Sequence, residues 1–421
     1  MPVDQNAALE AADQLRGSEM ELLSSLVSQR SVRADTSDVH EMCLQEMEKL
    51  GMEVELVTPR VAELERHSEW CPPSPTCAEP EKMVSVVGTR GEGPGIFLFA
   101  HTDTEPPGPR GDWETDPYRA TVKGDRIYGV GAADDKAGVA SVLTATRALL
   151  PHLEGVRVVV GLVHGKLGGG LGTLPTMERV GQVDTSIYCH PAETGKGLAH
   201  FKIATRGFFN FRIETVGRRP EPVEIRTPNS EDPRQGINAF TRLRAVMDAV
   251  EKWAARDGIL ISVNRVSAGI NPMVLPERAV AEGAVWFRHG TVAGVYGQLD
   301  RVASEAGAVS THLFGLRSNP AEIPRDHPLV AATRRAIALE TGRAPAVYPA
   351  HVASDIRFPI RCLNAATVGF GALAGNFYGP NEWVDGRDMH RATRTIVRIV
   401  SEWADHATIG QPWPRLDSLP C

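Results

Sequence analysis

Short apolar runs alternate with longer stretches of helical periodicity through both ends of the chain. Ile96-Phe97-Leu98-Phe99-Ala100, Val156 to Val163 and Asn364 to Phe370 are apolar enough to read as buried strands. Met52 to Val57 alternates like a strand, and Val84 to Gly88 and Thr185 to Cys189 complete the set. Between them, Glu19 to Ser28, Val39 to Leu50, Ala137 to Leu150, His327 to Thr341 and Asp388 to Trp403 have helical spacing. Gly51 and Gly342 stand where C-caps belong. Strands interleaved with helices predict a doubly wound α/β sheet.

From about Ala199 the pattern changes. Phe201 to Thr215 alternates, a polar loop runs from Gly217 to Arg234, and Gly236 to Ala255 reads as a helix opened by Asn238. Strands at Val263 to Val266, Arg278 to Arg288 and Val309 to Phe314 follow, with a helix from Gly294 to Gly307. Two strand–helix–strand passes predict an α+β sandwich. Residues 1–198 and 316–421 are therefore expected to form one discontinuous α/β domain, with 199–315 inserted as a second domain. A length of 421 residues agrees with two cores rather than one.

A hydrophobic content of 42% and a charged content of 23% are those of an ordinary globular chain. The net charge of −7 gives no reason to expect nucleic acid as a partner. No apolar run reaches the roughly 18 residues of a membrane span, and the N-terminus has neither the basic nor the apolar part of a signal peptide. The expectation is a cytoplasmic enzyme with no membrane partner. Six scattered cysteines suit reduced thiols, although Cys71 and Cys77 share one Pro-rich loop and could pair or bind metal. That loop, Arg66 to Lys82, reads as a surface excursion that could cover a site.

Candidate chemistry gathers in residues 96–138. His101 and Asp103 follow an apolar strand, two residues apart and so on one side of an extended backbone. Strand ends of this kind carry sites in open α/β sheets. Small residues then lead to Asp134-Asp135-Lys136 ahead of a helix, and a histidine with a carboxylate makes an N/O site suited to zinc, manganese or cobalt. Taken alone, a His-x-Asp and an acidic turn are more often structural.

The stretch nevertheless resembles the two-metal amidohydrolases of metallopeptidase family M20, which include aminoacylase, acetylornithine deacetylase, succinyl-diaminopimelate desuccinylase and carboxypeptidase G. The resemblance rests on His101-x-Asp103, the Trp113 to Pro117 segment, Tyr128-Gly129, and Asp134 before Asp135-Lys136. It implies that His101 binds a metal, that Asp134 bridges two, and that Asp103 orients His101. It also implies that 199–315 is a lid and dimerisation domain, and hence a homodimer. Asn271, Arg288 and Arg357 match residues that the family uses on substrate oxygens or a substrate carboxylate.

The departures from that pattern fall where the chemistry should be. Aligned through the Gly-rich turn, the family's two adjacent glutamates become Gly165 and Lys166, its later carboxylate ligand becomes His190, and its last ligand histidine becomes Tyr378. Its lid histidine falls in Arg219-Pro220-Glu221-Pro222. Glycine accepts no proton and an ammonium offers no lone pair. The expected content is therefore no metal or one divalent ion, zinc foremost, held by His101, Asp134 and His190. The first expectation is an enzyme repurposed for amide, C–N or ring-closure chemistry on a small carboxylate-bearing, amino-acid-like substrate. Asp103, His164, Lys166, His190 and Tyr378 are its catalytic candidates. The alternatives are an amide hydrolase using one metal, with His164 or Glu193 activating water, and a non-catalytic binding protein or partner subunit.

Overall fold

The computed structural model describes residues 2–32, 37–72, 79–219, 236–272, 274–348 and 351–417. The chain divides into two compact units, residues 1–205 with 321–421, and residues 206–320. The passage between them falls after Thr205 rather than after residue 198, because short strands beyond 198 pair within the first unit. His200–Phe201 pairs with Ala346–Val347, and Ala204–Thr205 pairs with Ala321–Glu322. At the other end, Ser310–Ser318 stays in the second unit because it pairs along Gly207–Val216.

The first unit is built on a six-stranded sheet in the order Glu53–Val57, Ser85–Arg90, Arg157–Val163, Gly95–His101, Thr185–Cys189, Ala366–Phe370. The last four are mutually parallel, while Ser85–Arg90 runs antiparallel to both of its neighbours. Gly95–His101 lies between two parallel partners, and every residue in it is buried, which accounts for its unbroken apolar character. Helix Ala137–Leu149 packs on this strand and on helix Gly386–Thr408. Helix Thr173–Val180 packs on Ser85–Arg90 and Arg157–Val163. The register His101↔Val163 sets the ends of the parallel strands level. Residues 102–103, 164–166 and 190–191 consequently leave the sheet along one edge, where doubly wound folds place their sites.

The second unit is an α+β sandwich. Its four-stranded antiparallel sheet has the order Leu260–Ala268, Arg278–Phe287, Gly207–Val216, Ser310–Ser318, with helices Ala239–Arg256 and Val292–Glu305 packed together and onto it. Gly207–Val216 alternates buried positions with half-buried or exposed ones, and Phe209, Phe211 and Ile213 enter a core with Leu243, Val246 and Leu299. Asn238 caps the first helix by accepting from Phe240 N and Thr241 N. Among the described residues, no helix is long and apolar enough to cross a membrane.

Candidate active site

His101, Asp134 and His190 come together from three parts of the first unit, all buried. His101 ends the central strand, and its Nε2 meets Asp134 Oδ1 in a short contact. Its Nδ1 lies 3.0 Å from Asp103 O and 3.3 Å from Asp103 Oδ1. His190, just past Thr185–Cys189, points Nε2 at the same Asp134 oxygen from 3.2 Å. Asp134 is held by Glu382, whose carboxylate accepts from Gly131 N at 3.0 Å, Ala133 N at 2.8 Å and Asp134 N at 3.0 Å. Glu382 precedes strand Trp383–Asp385, which pairs with Arg126–Tyr128 and so brings it to the turn.

Lys166 enters the same cluster. Its Nζ is 3.6 Å from Asp134 Oδ1 and 3.3 Å from His190 Nε2. The turn that carries it is anchored by Asp103, which accepts from Lys166 N at 3.1 Å and Leu167 N at 2.9 Å. Asp103 therefore orients His101 and fixes the start of the Gly-rich turn together. Within that turn a Cβ at Gly172 would fall 1.4 Å from His164 O, so only glycine fits there. Gly165 has φ 94°, in the left-handed region, and a Cβ on it would lie 2.7 Å from Met83 Sδ. A glutamate at 165 would be strained in the turn as built.

Charge is balanced inside the cluster. Burial works against the Asp134 carboxylate, yet Lys166, His190 and His101 hold it well below the usual range. Burial likewise opposes the Asp103 carboxylate, and the His101 hydrogen bond and charge outweigh it. Burial opposes the imidazolium of His101, but Asp134 lifts the ring to about 10. Asp134 also outweighs the burial of Lys166, holding its ammonium above the normal lysine range. Burial drives Asp135 well up, toward its neutral acid.

The remaining expected residues lie in different places. Tyr378, half exposed, donates its hydroxyl to Glu193 Oε1 at 3.2 Å, and Lys166 Nζ lies 5.9 Å from its ring centre. His164 is fully buried, its Nδ1 lies 2.9 Å from Thr102 Oγ1, and burial lowers its pKa to about 4. Arg357, expected on a substrate carboxylate, has a guanidinium that is 2% exposed. It donates to Gly169 O and Ala353 O, both at 3.1 Å, and lies 3.6 Å from Asp355. It braces the Gly-rich turn. Asn271 and Arg288 lie exposed in the second unit. Pro220 to Pro222 and Cys77 fall outside the described residues.

Two site residues escaped the sequence reading. Lys202 is fully buried with Nζ 2.8 Å from His190 Nδ1. His351, 3% exposed, packs edge-on to His190 at 6.0 Å between ring centres, and its Nδ1 is 3.7 Å from Glu193 Oε2.

As metal ligands, the donor atoms of His101, Asp134 and His190 lie within 4.8 Å of one another, the donor count of a catalytic zinc with one water. Lys166 Nζ faces two of those three. An ammonium ~4 Å from a divalent ion is repelled by roughly 8 kcal/mol at an effective dielectric near 20. Among the described residues, His101, Asp134 and His190 are the one group of three or more such donors.

The model of peptidase family M20/M25/M40 matches residues 97–402. A succinyl-diaminopimelate desuccinylase of Methylorubrum extorquens is 28% identical over 343 residues, covering 77% of this chain and 86% of the relative. The fold is similar to that of aminopeptidase PepT from Bacillus cereus, with TM-score 0.69, 15% identity and coverage of 95% and 99% of the two chains. It is also similar to a dinuclear metal binding peptidase from Bacillus subtilis, with TM-score 0.64, 15% identity and coverage of 93% and 99%.

Proposed function

The chain belongs to peptidase family M20/M25/M40, and on that premise we propose that it acts on an amide or C–N bond of a small carboxylate-bearing substrate without a two-metal centre. The observation that carries this reading is Lys166 Nζ, 3.6 Å from Asp134 Oδ1 and 3.3 Å from His190 Nε2. A cation fixed there neutralises Asp134 and offers N–H donors to an oxygen that gains charge during reaction. It does not generate hydroxide from water as a metal does. Proton transfer therefore falls to side chains, and Tyr378 with Glu193, hydroxyl against carboxylate, is the pair suited to it.

The desuccinylase relatives suggest N-acyl amino acids with several carboxylates as the first substrates to assay. Arg288 and Asn271 are the proposed carboxylate contacts, whereas Arg357 is engaged within the first unit. The second unit, with Leu260–Ala268 at one edge of its sheet, is proposed as the lid and dimerisation unit of a cytoplasmic homodimer. The test is turnover of N-succinyl-diaminopimelate and N-acetyl amino acids with and without chelator, beside elemental analysis. Turnover that survives the chelator and is lost in Lys166→Met supports the reading; chelator-sensitive turnover with two metal equivalents defeats it. A second reading, hydrolysis on one divalent ion, draws on Asp134 Oδ2, which is buried and has no partner among the described residues. One metal equivalent with chelator-sensitive turnover would favour it.

A further inference from the structure

We propose that Lys202 is a positioning residue: it fixes His190 as a proton donor to Asp134 and thereby withholds it from metal ligation. A neutral imidazole has one N–H and one lone pair, and the partner of one nitrogen decides which the other presents. His190 Nδ1 has two neighbours of opposite kind. Lys202 Nζ, which can only donate when charged, lies at 2.8 Å, and Pro191 O, which can only accept, also lies at 2.8 Å. Lys202 Nζ itself donates to Pro191 O at 3.0 Å. The lysine thus supplies the hydrogen that Pro191 O would otherwise take from His190, and it occupies the Nδ1 lone pair.

The ring proton is then on Nε2, facing Asp134 Oδ1 at 3.2 Å. Lys166, 3.3 Å from Nε2, meets an N–H rather than a lone pair and is directed to Asp134. Lys202 has little freedom to leave. It is fully buried, with Nζ 5.3 Å from the Tyr188 ring centre, its backbone bridges to Gly369, and a Cβ at Gly369 would lie 2.7 Å from its Cε. Without Lys202, Nδ1–H would donate to Pro191 O and leave the Nε2 lone pair facing Asp134, the arrangement in which metal-binding histidines are held.

The inference rests on the reading that Lys166 takes an ion's place, and the two fail separately. In full-length protein with 15N-labelled histidine, long-range 1H–15N correlation, assigned with His190→Gln, should show the Nε2–H tautomer for His190 in the metal-free wild type. Lys202→Met should convert it to Nδ1–H. By competition with a chromophoric chelator, Lys166→Met/Lys202→Met should bind zinc about tenfold to a hundredfold more tightly than Lys166→Met. His190→Gln in the double variant should abolish that gain. A wild-type Nδ1–H tautomer overturns the inference, and decides it alone if Lys202→Met does not fold. An unchanged tautomer in Lys202→Met, or equal zinc affinity in the two backgrounds, also overturns it. Two zinc equivalents in the wild type would instead defeat the reading of Lys166.

Discussion

Lys166 Nζ stands 3.6 Å from Asp134 Oδ1, with the two side chains 8% and 1% exposed. Removing one member of a buried pair leaves the other charge uncompensated, at a cost of about 3–5 kcal/mol. Lys166→Met is therefore expected to lower the unfolding free energy by roughly that amount, less whatever His101 and His190 recover. Urea denaturation checks it. A loss below about 1 kcal/mol would mean that the pair is not coupled in solution.

Glu382 accepts three backbone N–H groups of the turn that presents Asp134. Glu382→Ala orphans these donors, at about 1–3 kcal/mol each where water cannot reach them. The expected outcome is a less stable protein whose Gly131–Asp134 amides exchange faster with solvent. Unchanged protection in hydrogen exchange would remove Glu382 from this role.

His390 joins the N-terminal helices to the closing helix. Its Nδ1 is 2.8 Å from Glu19 Oε2 and its Nε2 is 2.9 Å from Asp13 Oδ1. Burial opposes its charge, but the hydrogen bonds to Glu19 and Asp13 raise its pKa above 6.5. The folded pKa is higher than the unfolded one, so this stabilisation is fully present below about pH 6.5 and is lost as pH rises through the folded value. Asp13 acts oppositely: burial raises it, and His390 and Arg394 lower it further, so its share is lost as pH falls below about 3.8. His390→Gln should flatten the decline of stability above pH 6.5. An identical slope in wild type and variant would contradict this.

Strand Ala366–Phe370 pairs in register with Thr185–Cys189, from Ala366↔Thr185 to Phe370↔Cys189. Residues 321–421 expressed alone should therefore show no cooperative unfolding transition, and should fold only with the rest of the first unit. A sharp thermal transition in the isolated segment would refute this.

The fold was largely legible because the central strands of the first unit are apolar on both faces, those of the second unit alternate, and the helices are periodic. Helix Gln5–Gln14 was not, since it buries only Ala8, Leu9 and Ala12, too small an apolar face to stand out. His101, Asp134 and His190 were legible because each follows an apolar strand or a small-residue turn. Lys202 was not: between Phe201 and Ile203 it reads as the solvated phase of an alternating strand. A bridge to Gly369, 167 positions later, instead leaves it buried. The surroundings of Arg357 were not legible either: its segment matches a carboxylate-binding pattern, and helix Arg357–Leu363 buries the guanidinium against Gly169. The positive φ at Gly165 was also hidden, because φ is not written in a Gly-rich string.

The most direct test of the central claim is the metal stoichiometry of wild type and Lys166→Glu after zinc loading and gel filtration, read by elemental analysis and located by anomalous scattering. The wild type should hold fewer than two zinc ions, with none between Lys166 and Asp134, and Lys166→Glu should gain zinc at Asp134. Two ions bridged by Asp134 in the wild type, with Lys166 displaced, would contradict the account.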